Sequence, residues 1–165
     1  MAQDVRTEPP PSASEKETLE AFLDYHRQTV VVKCAGLTEE ELRRPMVVSG
    51  TSMLGIVKHL GFNERWWFQE VFAARDAEFP WNEDDPDAEF RIEEHETAES
   101  VFDFYMQECD KSRAIVADAN LDDIAGNSKS VRSLRWIVFH MLEETARHNG
   151  HLDILREMID GTTGE

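Results

Sequence analysis

The sequence predicts an all-α protein, and within that class a four-helix bundle. Four long segments carry apolar residues at helical spacing, and none alternates in the strict manner of a half-buried strand. The connections between the long segments mix short and long, as in bundles with a crossover.

The first long segment runs from about Glu15 to Cys34, with Leu19, Phe22, Leu23, Val30 and Val31 among its apolar positions. Thr38 and Glu41 then form a capping box that opens a short turn of helix before Pro45. The second long helix starts near Thr51 or Ser52 and continues to about Ala74. It is rich in Leu54, Ile56, Val57, Leu60, Phe62, Trp66, Trp67, Phe68, Val71 and Phe72. Residues 75–97 form a long acidic connection containing Pro80 and Pro86, and a connection of that length reads as functional or as a crossover. Thr97 caps the third helix, which has Ser100 and Val101 in its first turn and runs to about Asn120. Gly126-Asn127-Ser128 is a loop signal. The fourth helix spans roughly Ser133 to Asp160 and stops before Gly161. Its expected buried set is Leu134, Ile137, Val138, Met141, Leu142, Leu152, Ile154, Leu155 and Ile159.

At 165 residues the chain is long enough for one domain with its own core, here residues 15–165. The polar, Pro-rich segment Met1–Ser14 is expected to be flexible. A net charge of −17 argues against a nucleic-acid or anionic-membrane partner and favours solubility. Cys34 and Cys109 are far apart and form no CxxC pair, so free thiols are expected. No apolar run approaches membrane-spanning length and no signal-peptide core follows Met1. The expected location is the cytoplasm.

Chemistry concentrates in the last helix. His140, Glu144, His148 and His151 fall within about 80° of one another around a helix, on one narrow face. Imidazoles and a carboxylate converging beside a buried stripe are costly unless something binds them, and a metal ion is the economical explanation. Glu144 and His148, at i and i+4, can point at one ion, and His59 in the second long helix supplies a partner. The set His59, Glu144 and His148 has the three-ligand pattern of a catalytic site with open positions. Zn²⁺ fits it best, and Ni²⁺, Fe²⁺ and Mn²⁺ are compatible. His151 is an alternative ligand in place of Glu144, or an acid/base group. His140 is expected beside the ligands or in the core, with ligation as its alternative. Asn63, one turn after His59, is a candidate to orient a ligand or substrate. A carboxylate-bridged di-iron site is excluded by spacing: residues three before His148, His151 and His59 are Thr145, His148 and Ile56.

His26 and His95 have no such context and are expected at the surface. Trp66, Trp67, Phe68 and Phe72 read as core before they read as pocket walls. Trp81, in the acidic connection, is the candidate pocket lid.

Ser52 through His59, followed by Glu64, Trp66 and Trp67, resembles the metal-ligand helix of the DinB/YfiT-like superfamily. Leu134-Arg135-Trp136 to His140, then Glu144-Thr145-Ala146-Arg147-His148-Asn149-Gly150-His151-Leu152, resembles its last helix. There two ligands stand four residues apart and the second is followed by x-Gly. His148-Asn149-Gly150 matches the second, which places Glu144 at the first. Most members carry His at that first position. Glu resembles instead the mycothiol-dependent maleylpyruvate isomerase branch, and the likeness is to its N-terminal domain.

The resemblance implies an up-down-down-up four-helix bundle, with the 75–97 connection crossing between its second and third long helices. It also implies a divalent metal, a low-molecular-weight thiol cosubstrate such as mycothiol or bacillithiol, and a small-molecule electrophile. Homodimers are common in the superfamily. The function expected is thiol S-transfer or thiol-dependent isomerisation. The rival is a non-catalytic, stress-associated bundle protein in which the ion only stabilises the fold. A fourth protein ligand closing the site would favour the rival.

Overall fold

In a computed structural model, which describes residues 6–127, 129 and 131–164, each α-helix begins at a side-chain cap. Ser14 opens α1 (Glu15–Cys34), Thr38 opens α2 (Glu39–Arg43), and Ser52 opens α3 (Met53–Glu64). Thr97 opens α4 (Ala98–Ala117) and Ser133 opens α5 (Leu134–Asp160). The caps on α1, α2 and α4 are reciprocal boxes, with Glu17, Glu41 and Ser100 bonding back to the cap backbone. At the far end, Gly161 adopts φ 77° and closes α5 with a bond to the Glu157 carbonyl. Among the described residues no strand forms; the one β feature is an isolated bridge between Ile124 and Ser133. No helix among them is long and apolar enough to cross a membrane. Residues 1–5 of the expected N-terminal segment, and Ser128 of the loop signal, lie outside the described residues.

The second long helix departs from the sequence expectation. Regular α-helix stops at Glu64, and Arg65–Phe72 continue with the wider π winding. Three bulky consecutive residues thereby find separate partners. Trp66 packs on Phe79 and Trp81, Trp67 on Trp136 and His140, and Phe68 enters the core. The chain then leaves through Ala74 at φ 51°, while Gly126 and Asn127 donate to the Phe72 and Val71 carbonyls. Those bonds satisfy groups that the end of the helix leaves open.

Helix α1 packs along α5, while α3 packs against α4 and α5 and carries α2 on its flank. The apolar core forms two clusters. One joins Val30, Met53, Ile56, Leu60, Val101, Cys109 and Leu152; the other joins Leu19, Leu23, Phe68, Val116, Ile137 and Met141. Between these clusters, along every long helix, stands a buried polar residue: Arg27, Glu64, Ser112 and Thr145. Ser112 and Thr145 satisfy their hydroxyls on carbonyls one turn back, those of Glu108 and Met141. Arg27 forks onto Glu64, with Nε 2.8 Å from Oε1 and Nη2 2.6 Å from Oε2, and its Nη1 donates to Asp24. Two residues expected in the core face outward instead: Ile154 is 60% exposed and Trp66 36%; of the apolar positions of α1, Phe22 is 43% exposed. Cys34 and Cys109 are buried free thiols, and burial pushes Cys34 up to about 12.

Because Arg27 and Glu64 are almost fully enclosed, removing one charge strands the other. Arg27→Met or Glu64→Leu alone is expected to cost about 3–5 kcal/mol in chemical denaturation, and the double variant to recover most of it. Additive losses in the double variant would show that the pair is not a coupled unit.

Candidate metal centre

Helix α3 presents His59 toward α5, where Glu144 and His148 stand one turn apart. His59 Nε2 lies 3.3 Å from Glu144 Oε1, and His148 Nε2 lies 3.1 Å from the same oxygen. One ligand atom from each residue falls within 4.8 Å of the others. Around a tetrahedral ion bonded at about 2.1 Å, ligand atoms stand about 3.4 Å apart, so this donor set fits a single divalent cation. The three side chains are 11%, 17% and 11% exposed, which leaves the group enclosed but reachable.

His59 Nε2 faces the Glu144 carboxylate and also lies 2.8 Å from the side-chain amide of Asn63, one turn on, so Asn63 stands beside the same candidate donor atom.

The acidic connection reaches the site as well. Its single helical turn, Ala88–Phe90, sets Glu89 Oε1 3.0 Å from His59 Nδ1 and stacks the Phe90 ring on the His59 ring at 4.1 Å and 18°. Neither residue stands out in the sequence, where Glu89 is one acid among many in an exposed stretch. The available signal is chemical: an imidazole that ligates through one nitrogen usually donates from the other to a carboxylate. Trp81, expected as the lid, packs instead with Phe62, Trp66 and Phe79, and the ring that covers His59 is Phe90.

The other candidates sit at the margins. His151 is exposed, with Nδ1 3.4 Å from His148 Nδ1, and does not join the three-residue group. His140 lies between Trp67 and Trp136, stacking on the latter at 5.2 Å. His95 is at the surface as expected. His26 is not: it is half-buried against Tyr25, and its backbone carbonyl accepts from Asn149 on α5.

Burial opposes a charge on His59, yet bonds to Glu144 and Glu89 outweigh it and raise its pKa above 6.5. Bonds from His148 and His59 hold Glu144 far below its usual 4.5 despite burial. Burial, then the neighbouring His148 and Arg147, push His151 below 6.5.

These shifts predict the pH dependence of the metal-free fold. A raised His59 pKa gives stability complete below pH 6.5 and lost as pH climbs through the folded value. A lowered Glu144 pKa gives stability complete above pH 4.5 and lost as pH falls through the folded value. The cluster therefore contributes most between pH 4.5 and 6.5. Thermal unfolding of chelator-treated protein from about pH 4 to about pH 9 is expected to show this window, flattened in Glu144→Gln. Parallel wild-type and variant profiles would contradict the assignment.

Comparison with curated proteins returns no match. A family model described as Mycothiol-S-transferase matches residues 18–161, from the first turns of α1 through the end of α5. With that match over most of its length, the chain belongs to the mycothiol-S-transferase family, within the DinB/YfiT-like superfamily.

Proposed function

We propose that the chain is a divalent-metal-dependent thiol S-transferase, with His59, Glu144 and His148 as the metal ligands and Zn²⁺ as the metal. The observation that carries the reading is the His/Glu/His group itself: three donors on two helices, enclosed but solvent-reachable, in a chain of the mycothiol-S-transferase family. Among the described residues the group comprises those three, and His151 turns its Nδ1 toward His148. That supports an open site over a closed structural one. A divalent ion held there stabilises a thiolate against its thiol and so supplies a nucleophile at neutral pH.

The chain's own groups have separable tasks in this reading. Glu144 and His148, one turn apart on a rigid helix, fix two donors from below. His59 brings the third from α3, its Nδ1–H donating to Glu89. Phe90 keeps water from one face of that ring. Asn63 lies within reach of a bound molecule on the α3 side, and His151 stands at the exposed rim where a proton can leave to solvent. The cosubstrate is a low-molecular-weight thiol of the mycothiol type and the second substrate a small electrophile.

The reading takes residues 15–165 as the functional unit and the four long helices as an up-down-down-up bundle. The packing of α1 on α5 and of α3 on both α4 and α5 supports that topology. Two buried, unpaired thiols are in keeping with a reducing cytoplasm.

Elemental analysis of untagged protein purified without chelators is the direct test. About one divalent ion per chain is expected, and none in His59→Ala/His148→Ala. The loaded wild type should then conjugate a thiol to a reactive electrophile, and the double variant should not. Bound metal without conjugation across a panel of thiols and electrophiles would favour the stabilising role. No bound metal, and no stabilisation by added Zn²⁺, would overturn the proposal.

A further inference from the structure

An imidazole on a helix has a broad χ2 and can offer either nitrogen to an ion. Which nitrogen faces Glu144 and His148 therefore depends on the groups packed around the ring. We propose that Glu89 and Phe90 of the crossover form a clamp that orients His59 and sets the affinity of the metal site. The proposal rests on His59 being a ligand, as argued above.

Two contacts make the clamp. Glu89 Oε1 receives Nδ1–H at 3.0 Å, which commits the opposite nitrogen to the ion. The Phe90 ring lies nearly parallel on the imidazole, at 18°, so the ring plane is set as well. A half-turn about χ2 would take Nδ1 away from Glu89, and smaller rotations would tilt the imidazole off the Phe90 ring.

The backbone of the clamp is itself seated on α3 by residues of the same helix face. Gly55, one turn before His59, leaves the room that the Phe90 carbonyl fills: a Cβ there would stand 2.4 Å from that oxygen. A glycine in mid-helix is unfavourable by about 1 kcal/mol relative to Ala, and close backbone approach is the reason that offsets it here. Lys58, 5% exposed, donates to the Arg91 carbonyl at 2.8 Å and to Glu96 at 2.8 Å. Ala88, 4% exposed, anchors the start of the turn. Gly55, Lys58 and His59 thus hold the segment that holds His59.

Zn²⁺ affinity, measured by competition with a chromophoric chelator, tests the clamp on Glu89→Gln, Gly55→Ala and Asp84→Asn. The last removes an equivalent charge from the same connection without touching the clamp. Glu89→Gln is expected to weaken binding about 10–100-fold. Gly55→Ala should weaken it comparably, although it changes no charge and no ligand, while Asp84→Asn should bind as wild type does. The visible spectrum of the Co²⁺-loaded protein should change in the first two variants and not in the third, which a purely structural role would not produce. Unfolding of the metal-free variants reports their folding; where Gly55→Ala fails to fold, Glu89→Gln decides alone. Wild-type uptake with unchanged affinity and spectrum in Glu89→Gln overturns the clamp but not the metal site. A wild type that takes up no Zn²⁺ overturns both.

Discussion

The fork between Arg27 and Glu64 is the constraint on which the rest of the arrangement depends. Each ion, taken alone into the interior, would lose several kcal/mol of hydration. The fork returns most of this because two parallel N–H bonds meet two carboxylate oxygens, and Asp24 takes a third. Such a pair adds little net stability over well-packed apolar residues. What it adds here is register. A slip of one turn between α1 and α3 would carry Arg27 or Glu64 into an apolar cluster with no partner, so only one height is tolerated.

That height propagates to the site. Glu64 lies just over one turn beyond His59, so fixing Glu64 against α1 fixes the height at which His59 stands. Helix α1 also packs along α5, where Asn149 donates to the His26 carbonyl next to Arg27. Asn149 is the neighbour of His148 in sequence. One layer of polar contacts therefore sets His59 from one side and Glu144 and His148 from the other. A metal site tolerates errors of only a few tenths of an ångström in donor position, and at the proposed site a buried ion pair on the far side of α3 would supply that precision. Outside that layer, Glu108 is satisfied by Arg65, Gln69 and Lys111, which ties the π-wound segment to α4 without disturbing the core.

The helices and the shared face of Glu144 and His148 were legible because their signals are periodic and local. A cap precedes each helix start, and Glu144 and His148 share a face by spacing alone. His59 was legible as a lone imidazole among apolar neighbours. The features that escaped are those in which tertiary context overrides composition. Arg27 and Glu64 look like ordinary surface charges until their mutual burial is seen. The π winding after Glu64 follows from how Trp66, Trp67 and Phe68 find partners on three different sides, which no period of 3.6 encodes. Phe90, not the more conspicuous Trp81, covers the His59 ring, because Gly55 admits its backbone and nothing comparable seats Trp81 there. The half-burial of His26 follows from α5 lying along α1, a contact between segments more than a hundred residues apart.

The crossover links the stability of the site to its chemistry. A connection that only needed to span between helices could remain solvated throughout, as most of residues 82–87 do. This one folds back for a single turn, buries Ala88, and spends a carboxylate and an aromatic ring on one imidazole. Metal affinity is folding free energy wherever the site is assembled from segments that order together. An ion held between α3 and α5 as proposed would then also tighten residues 88–91, and loosening those residues would weaken its binding. A structural site gains nothing from such dependence and is better closed with a fourth ligand from a rigid helix. Three helix-borne or helix-fixed donors and one adjustable clamp from a loop form the arrangement suited to an ion that must keep a position free for an exchanging partner.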